Sequence, residues 1–270
     1  MLLPRRRPPR PPAAAPALPA QRRHRSPCRI QQAAAPLHTY QPRRPPPPQD
    51  FSWPGLPRTL RLSEAAGTAP GFGHKIWPSA HALVAHLVAR DDLTGMRVVE
   101  LGCGVGLAGL AAAALGARVV LTDRDSHVLA QAAANIDLNK PALLEAGGRA
   151  ATFKLDWRDS AALQMLLREH GPFDLIVASD VLYSASLFPS LLHTIDALSS
   201  SSVGPAADAV TLTLIACPER DNRSHAKGGD YFAAMANGER AGKAALVRTH
   251  AMASIKLCLA TVLPVGLFLN

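Results

Sequence analysis

The sequence predicts an α/β protein of the doubly wound kind, with a mostly parallel sheet and helices on both faces, and three observations predict it. Short apolar runs alternate with stretches of helical periodicity from about residue 97 to residue 216. The first run, ending at Leu101, passes directly into a loop carrying Gly102, Gly104 and Gly106. Glu100 and Asp123 stand at the ends of the first two strands, Asp156 and Trp157 follow the third, and Ser179 and Asp180 follow the fourth, so all six fall along the carboxyl edge of the sheet.

In chain order, Arg58 to Glu64 forms a short leading strand. Pro78 then opens a helix in which Ala80, Leu83, Val84, Leu87 and Val88 share one face. Val98, Val99 and Leu101 make the first core strand, a short apolar run of the kind that a strand buried on both faces requires. Leu107, Leu110, Ala111, Ala114 and Leu115 recur at helical spacing, so a helix begins at the glycine loop. Arg118 to Thr122 is the next strand, closed by Asp123. From Ser126 to Asn139, Val128, Leu129, Ala132, Ala133 and Ile136 form one stripe, with Asp125 or Ser126 as cap and Pro141 as stop. Phe153 and Leu155 belong to the third strand, and Leu163, Leu166 and Leu167 mark another helix. Phe173 to Ala178 is a strand, Leu187 to Leu198 a helix and Val210 to Ala216 the fifth strand. After Cys217 the pattern fades. Residues 218–270 show only a possible helix near Asp230 to Ala236 and no clean alternating pair, so irregular terminal strands are expected there. Ile255 to Leu269, broken by Pro264 and Gly266, reads as a buried strand region or an aberrant end.

The strand, glycine loop, helix and second strand ending in a carboxylate are the parts of a nucleotide pocket. The loop lets the backbone pass close beneath a ligand, the helix aims its free N–H groups at it, and Asp123 can accept both hydroxyls of an adenosine ribose. A tight turn with no ligand is the plainer reading. Gly104, Gly106 and Gly109 also satisfy G-x-G-x-x-G, so glycines alone do not separate NAD from S-adenosylmethionine. Glu100 separates them by charge: a carboxylate there meets a cationic amino-acid moiety but repels a pyrophosphate. Trp157 can flank an adenine and Asp156 bond its exocyclic amine, although a Trp at a strand end is often a core plug. From its spacing alone Trp77, just ahead of a helix, is a hydrophobic staple.

Composition sets the frame. The first 49 residues hold ten Arg, fourteen Pro and no acidic residue, leaving 19 Lys and Arg against 20 Asp and Glu in the rest. The net charge of +9 thus resides in a tail at residues 1–50, while residues 51–270 form a near-neutral domain, clearest over 58–217. A nucleic-acid reader carries its excess charge on the folded body, so no nucleic-acid partner is expected. The tail is compatible with an organelle transit peptide, yet it is poor in Ser and its prolines break helices; a disordered Pro/Ala/Arg extension fits as well. The expected location is accordingly cytoplasmic, with plastid or mitochondrion as the alternative. Cys28, Cys103, Cys217 and Cys258 form no C-x-x-C pair, and neither H-E-x-x-H nor G-x-S-x-G occurs, so no metal site, disulfide scaffold or acyl-enzyme chemistry is expected. A monomer without membrane attachment is expected.

Five segments, IWPSA at 76–80, VVELGCGVGLAG at 98–109, LTD at 121–123, LDW at 155–157 and ASDVLY at 178–183, together resemble the seven-β-strand lysine methyltransferase-like family of S-adenosylmethionine-dependent enzymes. The resemblance covers residues 58–217. It implies a Rossmann-like class I methyltransferase fold and a protein substrate methylated on a lysine amine. It further implies that Trp77 lines the cofactor pocket, Gly102, Cys103 and Gly104 pass under the methionine part, Asp123 holds the ribose, Trp157 borders the adenine and Ser179 contributes near the sulfonium. By the same resemblance Asp180 and Tyr183 form the catalytic mouth where the acceptor nitrogen enters; otherwise Asp180 is a helix cap and Tyr183 a core residue. A non-catalytic S-adenosylmethionine-binding module and an NAD-binding oxidoreductase are the alternatives of different class.

Overall fold

The computed structural model describes residues 46–64, 72–90, 92–200, 211–218, 244–252 and 255–263. Residues 1–45 of the expected tail and the helix expected near 230–236 lie outside the described residues. A small hairpin comes first, β1 (Gln49–Phe51) pairing antiparallel with β2 (Leu60–Leu62). The leading strand is therefore shorter than 58–64, and its partner β1 is too brief to show alternation.

Next come α1 (Pro78–Val88), β3 (Arg97–Leu101), α2 (Leu107–Ala114) and β4 (Arg118–Asp123). They are followed by α3 (Ser126–Glu145), β5 (Arg149–Lys154), α4 (Ser160–His170) and β6 (Leu175–Ser179). A 3₁₀ turn at Ala185–Leu187 leads into α5 (Phe188–Ser200) and then β7 (Leu212–Pro218), β8 (Ala244–Met252) and β9 (Ile255–Leu263). The main sheet runs β5-β4-β3-β6-β7-β9-β8. Its first five strands are mutually parallel, and β9 is antiparallel to both β7 and β8. From β3 the chain winds outward through β4 and β5, then returns to β6 on the other side. That reversal leaves a crevice at the strands' carboxyl ends.

Alternation along the strands divides two apolar layers. Val98, Val119, Leu121, Leu175, Val177 and Leu214 face α1, α2 and α3, whereas Val99, Leu101, Val120, Ile176 and Ile215 face α4 and α5. Every residue of α2 is buried. Gly109 makes this close seating possible, because a Cβ there would stand 2.2 Å from Leu121 Cδ2 and 2.6 Å from Glu100 Oε2.

Two expectations change. Asp125 caps α3 through the His127 N–H, but the helix does not stop at Pro141. Its last turn carries Leu143 into the core at 2% exposure, and the N–H groups of Ala146, Gly147 and Gly148 close on the carbonyls of Ala142, Leu144 and Leu143. An ion pair from Arg58 to Glu145 holds the same turn, and together these outweigh the one bond a proline removes. The terminal strands are also regular rather than irregular: β8 and β9 form a nine-residue antiparallel ladder in register from Ala244 with Leu263 to Met252 with Ile255. The sequence hides this hairpin because Ala253 and Ser254 between the strands carry no Gly, Asn or Asp turn signal.

Two buried amides of α3 fasten the leading strand. Asn139 accepts from Arg61 N and donates to Arg61 O, while Asn135 accepts from Ser63 N and donates to Ser63 O and to Val105 O of the glycine loop. Both side chains are nearly inaccessible, at 0% and 2% exposure for Asn135 and Asn139, so these bonds act in a low-dielectric setting. Among the described residues no helix is long and apolar enough to cross a membrane.

Candidate active site

At the carboxyl ends of β3, β4, β5 and β6 lies a cavity of about 570 Å³, within the range of small-molecule sites. Eleven of the twelve residues selected from sequence line it: Trp77, Glu100, Gly102, Cys103, Gly104, Asp123, Asp156, Trp157, Ser179, Asp180 and Tyr183. Gly106 does not. It caps the N-terminus of α2, its N–H bonded to Cys103 O at 2.9 Å, and so shapes the loop from outside the lining.

The cavity floor is bare backbone. Gly102 sits at φ 64, a conformation L side chains rarely adopt, and a Cβ there would reach 3.0 Å from Val181 Cγ1 and 3.5 Å from Trp157 Cζ2. Glycine thus lets Val181 and Trp157 close in over the loop at the edge of the cavity. Beside it, Cys103 is buried with its thiol pushed well above the ordinary value by burial, which makes it a wall rather than a nucleophile.

Glu100 departs from its expected role. Its side chain turns under α2, where one oxygen accepts the Gly109 N–H at 2.8 Å, and only 1% of the residue is accessible. Burial pushes its carboxyl up to about 8 against the Gly109 bond, so near neutral pH it is largely uncharged. A standing negative charge therefore does not tell a cationic amino-acid moiety from a pyrophosphate here, although an arriving cation would draw the proton off. The sign for stability follows: folded Glu100 keeps its proton up to about pH 8, whereas the unfolded chain releases it near 4.5, so stability falls as pH rises across that window. Urea unfolding from pH 5 to pH 8 is expected to show a decline of a few kcal/mol that Glu100→Gln flattens, since Gln still accepts from Gly109. Equal slopes in both proteins would assign the decline to other groups.

Asp123 ends β4 with one oxygen accepting from Gly104 N at 3.3 Å and the other from Asp125 N at 3.0 Å. Burial raises its pKa, and these backbone donors oppose the rise. Asp156 is gripped by its neighbour: Arg158 donates through Nε at 2.9 Å and Nη2 at 2.6 Å, holding the carboxyl down to about 2. It remains an anion with lone pairs to spare, but Arg158 competes for them. Trp157 is half-buried against the α4 and α5 layer with its edge toward Gly102, which makes it core plug and cavity wall at once.

On the opposite rim, Ser179 ends β6 and Asp180 follows at φ 55, the one described non-glycine residue with positive φ. Its N–H bonds Ala216 O of β7 at 3.0 Å, so the neighbouring strand holds the strained turn and fixes where the carboxylate projects. Tyr183, three residues on, is 39% exposed and therefore not core.

Sequence reading selected Trp77 but missed the rest of its wall, formed by residues 72–76. Trp77 is the N-cap of α1, and its indole N–H donates to Phe72 O at 2.9 Å, while Glu64 accepts Ile76 N at 2.5 Å. Phe72, Gly73 and Lys75 line the cavity with Arg124 and Asp125. The available signal was the aromatic of GFGHKIW set between two glycines just ahead of the Trp-Pro pair. Among the described residues no group of three or more His, Cys, Asp and Glu side chains is placed to hold a metal ion.

The profile of a family described as Lysine methyltransferase matches residues 56–236. Protein N-lysine methyltransferase METTL21A of Danio rerio is 35% identical over 157 residues, which cover 57% of this chain and 65% of that protein. EEF1A lysine methyltransferase 3 of Mus musculus is 31% identical over 50% of this chain and 55% of its own length. The chain thus spans just under two thirds of the first relative and little more than half of the second. A SAM-dependent methyltransferase from Agrobacterium tumefaciens superposes with a TM-score of 0.51 at 16% identity, covering 85% of this chain and 72% of its own, a likeness of fold. The profile match takes in the leading strand, the whole parallel sheet and every segment lining the cavity, well over half of the residues, and the chain belongs to the lysine methyltransferase family.

Proposed function

We propose that the chain transfers a methyl group from S-adenosylmethionine to a lysine side-chain amine of a protein substrate. One observation carries this reading: one cavity joins a nucleotide-type half, the glycine loop with Asp123, to a second half lined by a carboxylate and a phenol, Asp180 and Tyr183. Bound there, the cofactor supplies an electrophilic methyl on a sulfonium. In this reading Asp123 accepts the ribose hydroxyls, Trp77 lines the cofactor pocket, Trp157 borders the adenine and Ser179 contributes near the sulfonium. The loop at Gly102 to Gly104 fits such a ligand, because its two glycines bring backbone to the cavity surface with Cys103 the one side chain between them.

A lysine at its ordinary pKa near 10.4 is neutral about once in 2,500 at pH 7, a cost of roughly 4.6 kcal/mol. The cavity lowers that cost by desolvating the ammonium beside a cationic sulfur, after which the proton leaves to water. Asp180 attracts the incoming ammonium and aligns it, and Tyr183 offers an aromatic face with a polar tip. Catalysis is then mostly positioning. The near-neutral body fits a protein rather than a nucleic-acid substrate, and the scattered cysteines fit a reducing compartment such as the cytoplasm.

Two measurements test the reading together. Calorimetry with S-adenosylhomocysteine is expected to give binding, and tritiated methyl transfer to fractionated lysate is expected to label a lysine. Absence of heat sinks the cofactor assignment. Binding without transfer to any fraction makes the chain a cofactor-binding module instead.

A further inference from the structure

Phe72 is the most exposed large apolar side chain among the described residues, at 69%. Its ring nevertheless has fixed company. It lies 6.3 Å from the Trp77 ring and 6.1 Å from the Tyr183 ring, tilted by 53° and 45°. Trp77 belongs to the segment before α1 and Tyr183 to the loop after β6, so Phe72 bridges the mouth of the cavity from one wall to the other.

The backbone that presents this ring is held on three sides. The Trp77 indole N–H grips Phe72 O at 2.9 Å. Gly73 lies so close to α3 that a Cβ there would stand 2.9 Å from Val128 Cγ2, and its carbonyl oxygen would be 3.1 Å from a Cβ on Gly104 of the glycine loop. A ring in water gains nothing for the fold, yet its backbone is anchored to α1, α3 and the glycine loop. Lys75 shows what such rings attract: its Nζ stands over the Trp77 ring, 5.6 Å from the centroid, within cation–π range.

We propose that the paired rings of Phe72 and Tyr183 form an aromatic rim over which the acceptor reaches Asp180, and that Phe72 is a specificity-determining residue favouring alkylammonium side chains. This rests on the lysine-methyltransferase reading above. With their centroids 6.1 Å apart the two rings touch, so they present one continuous aromatic surface to the arriving cation rather than a gap. Attraction to a π-face survives when methyl groups replace ammonium protons, whereas hydrogen bonding to a carboxylate does not, so the rim also accepts amines already methylated.

The test uses butyltrimethylammonium, the side chain of a trimethylated lysine, titrated by saturation-transfer NMR into the full chain loaded with S-adenosylhomocysteine. Wild type is expected to bind it, Phe72→Ala and Phe72→Leu to bind roughly fivefold more weakly, and Phe72→Tyr to stay within about twofold. Calorimetry of S-adenosylhomocysteine on each variant is expected to match wild type, which also shows that each folds. Binding of the probe that ignores residue 72, or a Leu variant equal to wild type, overturns the aromatic rim. So does a Phe72→Ala protein that loses cofactor affinity in step with probe affinity, because Phe72 is then a cofactor wall. Failure of wild type itself to bind S-adenosylhomocysteine overturns instead the reading on which the rim rests.

Discussion

Replacing Asp180 with Asn is expected to lower methyl transfer by about 100-fold or more while leaving S-adenosylhomocysteine affinity within about threefold. Asn is the informative choice because it tolerates positive φ almost as well as Asp, and the turn at φ 55 is kept. Only the charge is lost. Ala removes the same charge but adds the strain of a side chain unsuited to that conformation, so Asp180→Ala is expected to lose transfer and a little stability together. The contrast between the variants separates electrostatics from backbone strain. Single-turnover rates with tritiated cofactor and calorimetry on the same preparations measure both. An Asn variant as fast as wild type would falsify any role for this carboxylate in guiding the amine.

A comparably large effect is expected at Gly109, where Ala should lower the melting temperature by about 10 °C and abolish tight cofactor binding. The added methyl enters space held by Leu121 Cδ2 and Glu100 Oε2, the second of which is also the acceptor of the Gly109 N–H. Overpacking a buried helix costs about 1 to 3 kcal/mol, and displacing a buried carboxyl from its donor adds about 1 to 3 more. For a chain of this size each kcal/mol moves the melting point by about 2 to 4 °C. If α2 slides outward to relieve the clash, the glycine loop moves with it, since Gly106 is at once cap and loop residue. A Gly109→Ala protein with unchanged melting and affinity would show that the helix sits more loosely than these distances indicate.

The parallel half of the sheet was legible in the sequence because its inner strands, buried on both faces, had to be mostly apolar and the helices between them had to carry apolar stripes. Polar residues interrupting that grammar at strand ends marked the cavity, and eleven of the twelve candidates indeed line it. What stayed hidden is physically distinct. Pro141 reads as a stop locally, and only the packing of Leu143 and the closing bonds at Gly147 and Gly148 carry α3 past it. The hairpin of β8 and β9 leaves no turn signature, so its pairing had to be seen in three dimensions. Glu100 looked like a charge because its neighbours in sequence say nothing of the helix lying over it. Phe72 was invisible for the opposite reason: an isolated aromatic in a glycine-rich stretch acquires meaning only when Trp77 and Tyr183 come to its side.

The amides of Asn135 and Asn139 do more than hold an edge strand. A slip of β2 by one residue would present the wrong backbone partners to both amides at once, so the strand has a single permitted offset. Glu64 follows immediately and takes hold of Ile76, so that offset is passed forward to the segment that carries Trp77 into the cavity wall. Two side chains of α3 thereby serve as the ruler for an indole they never touch.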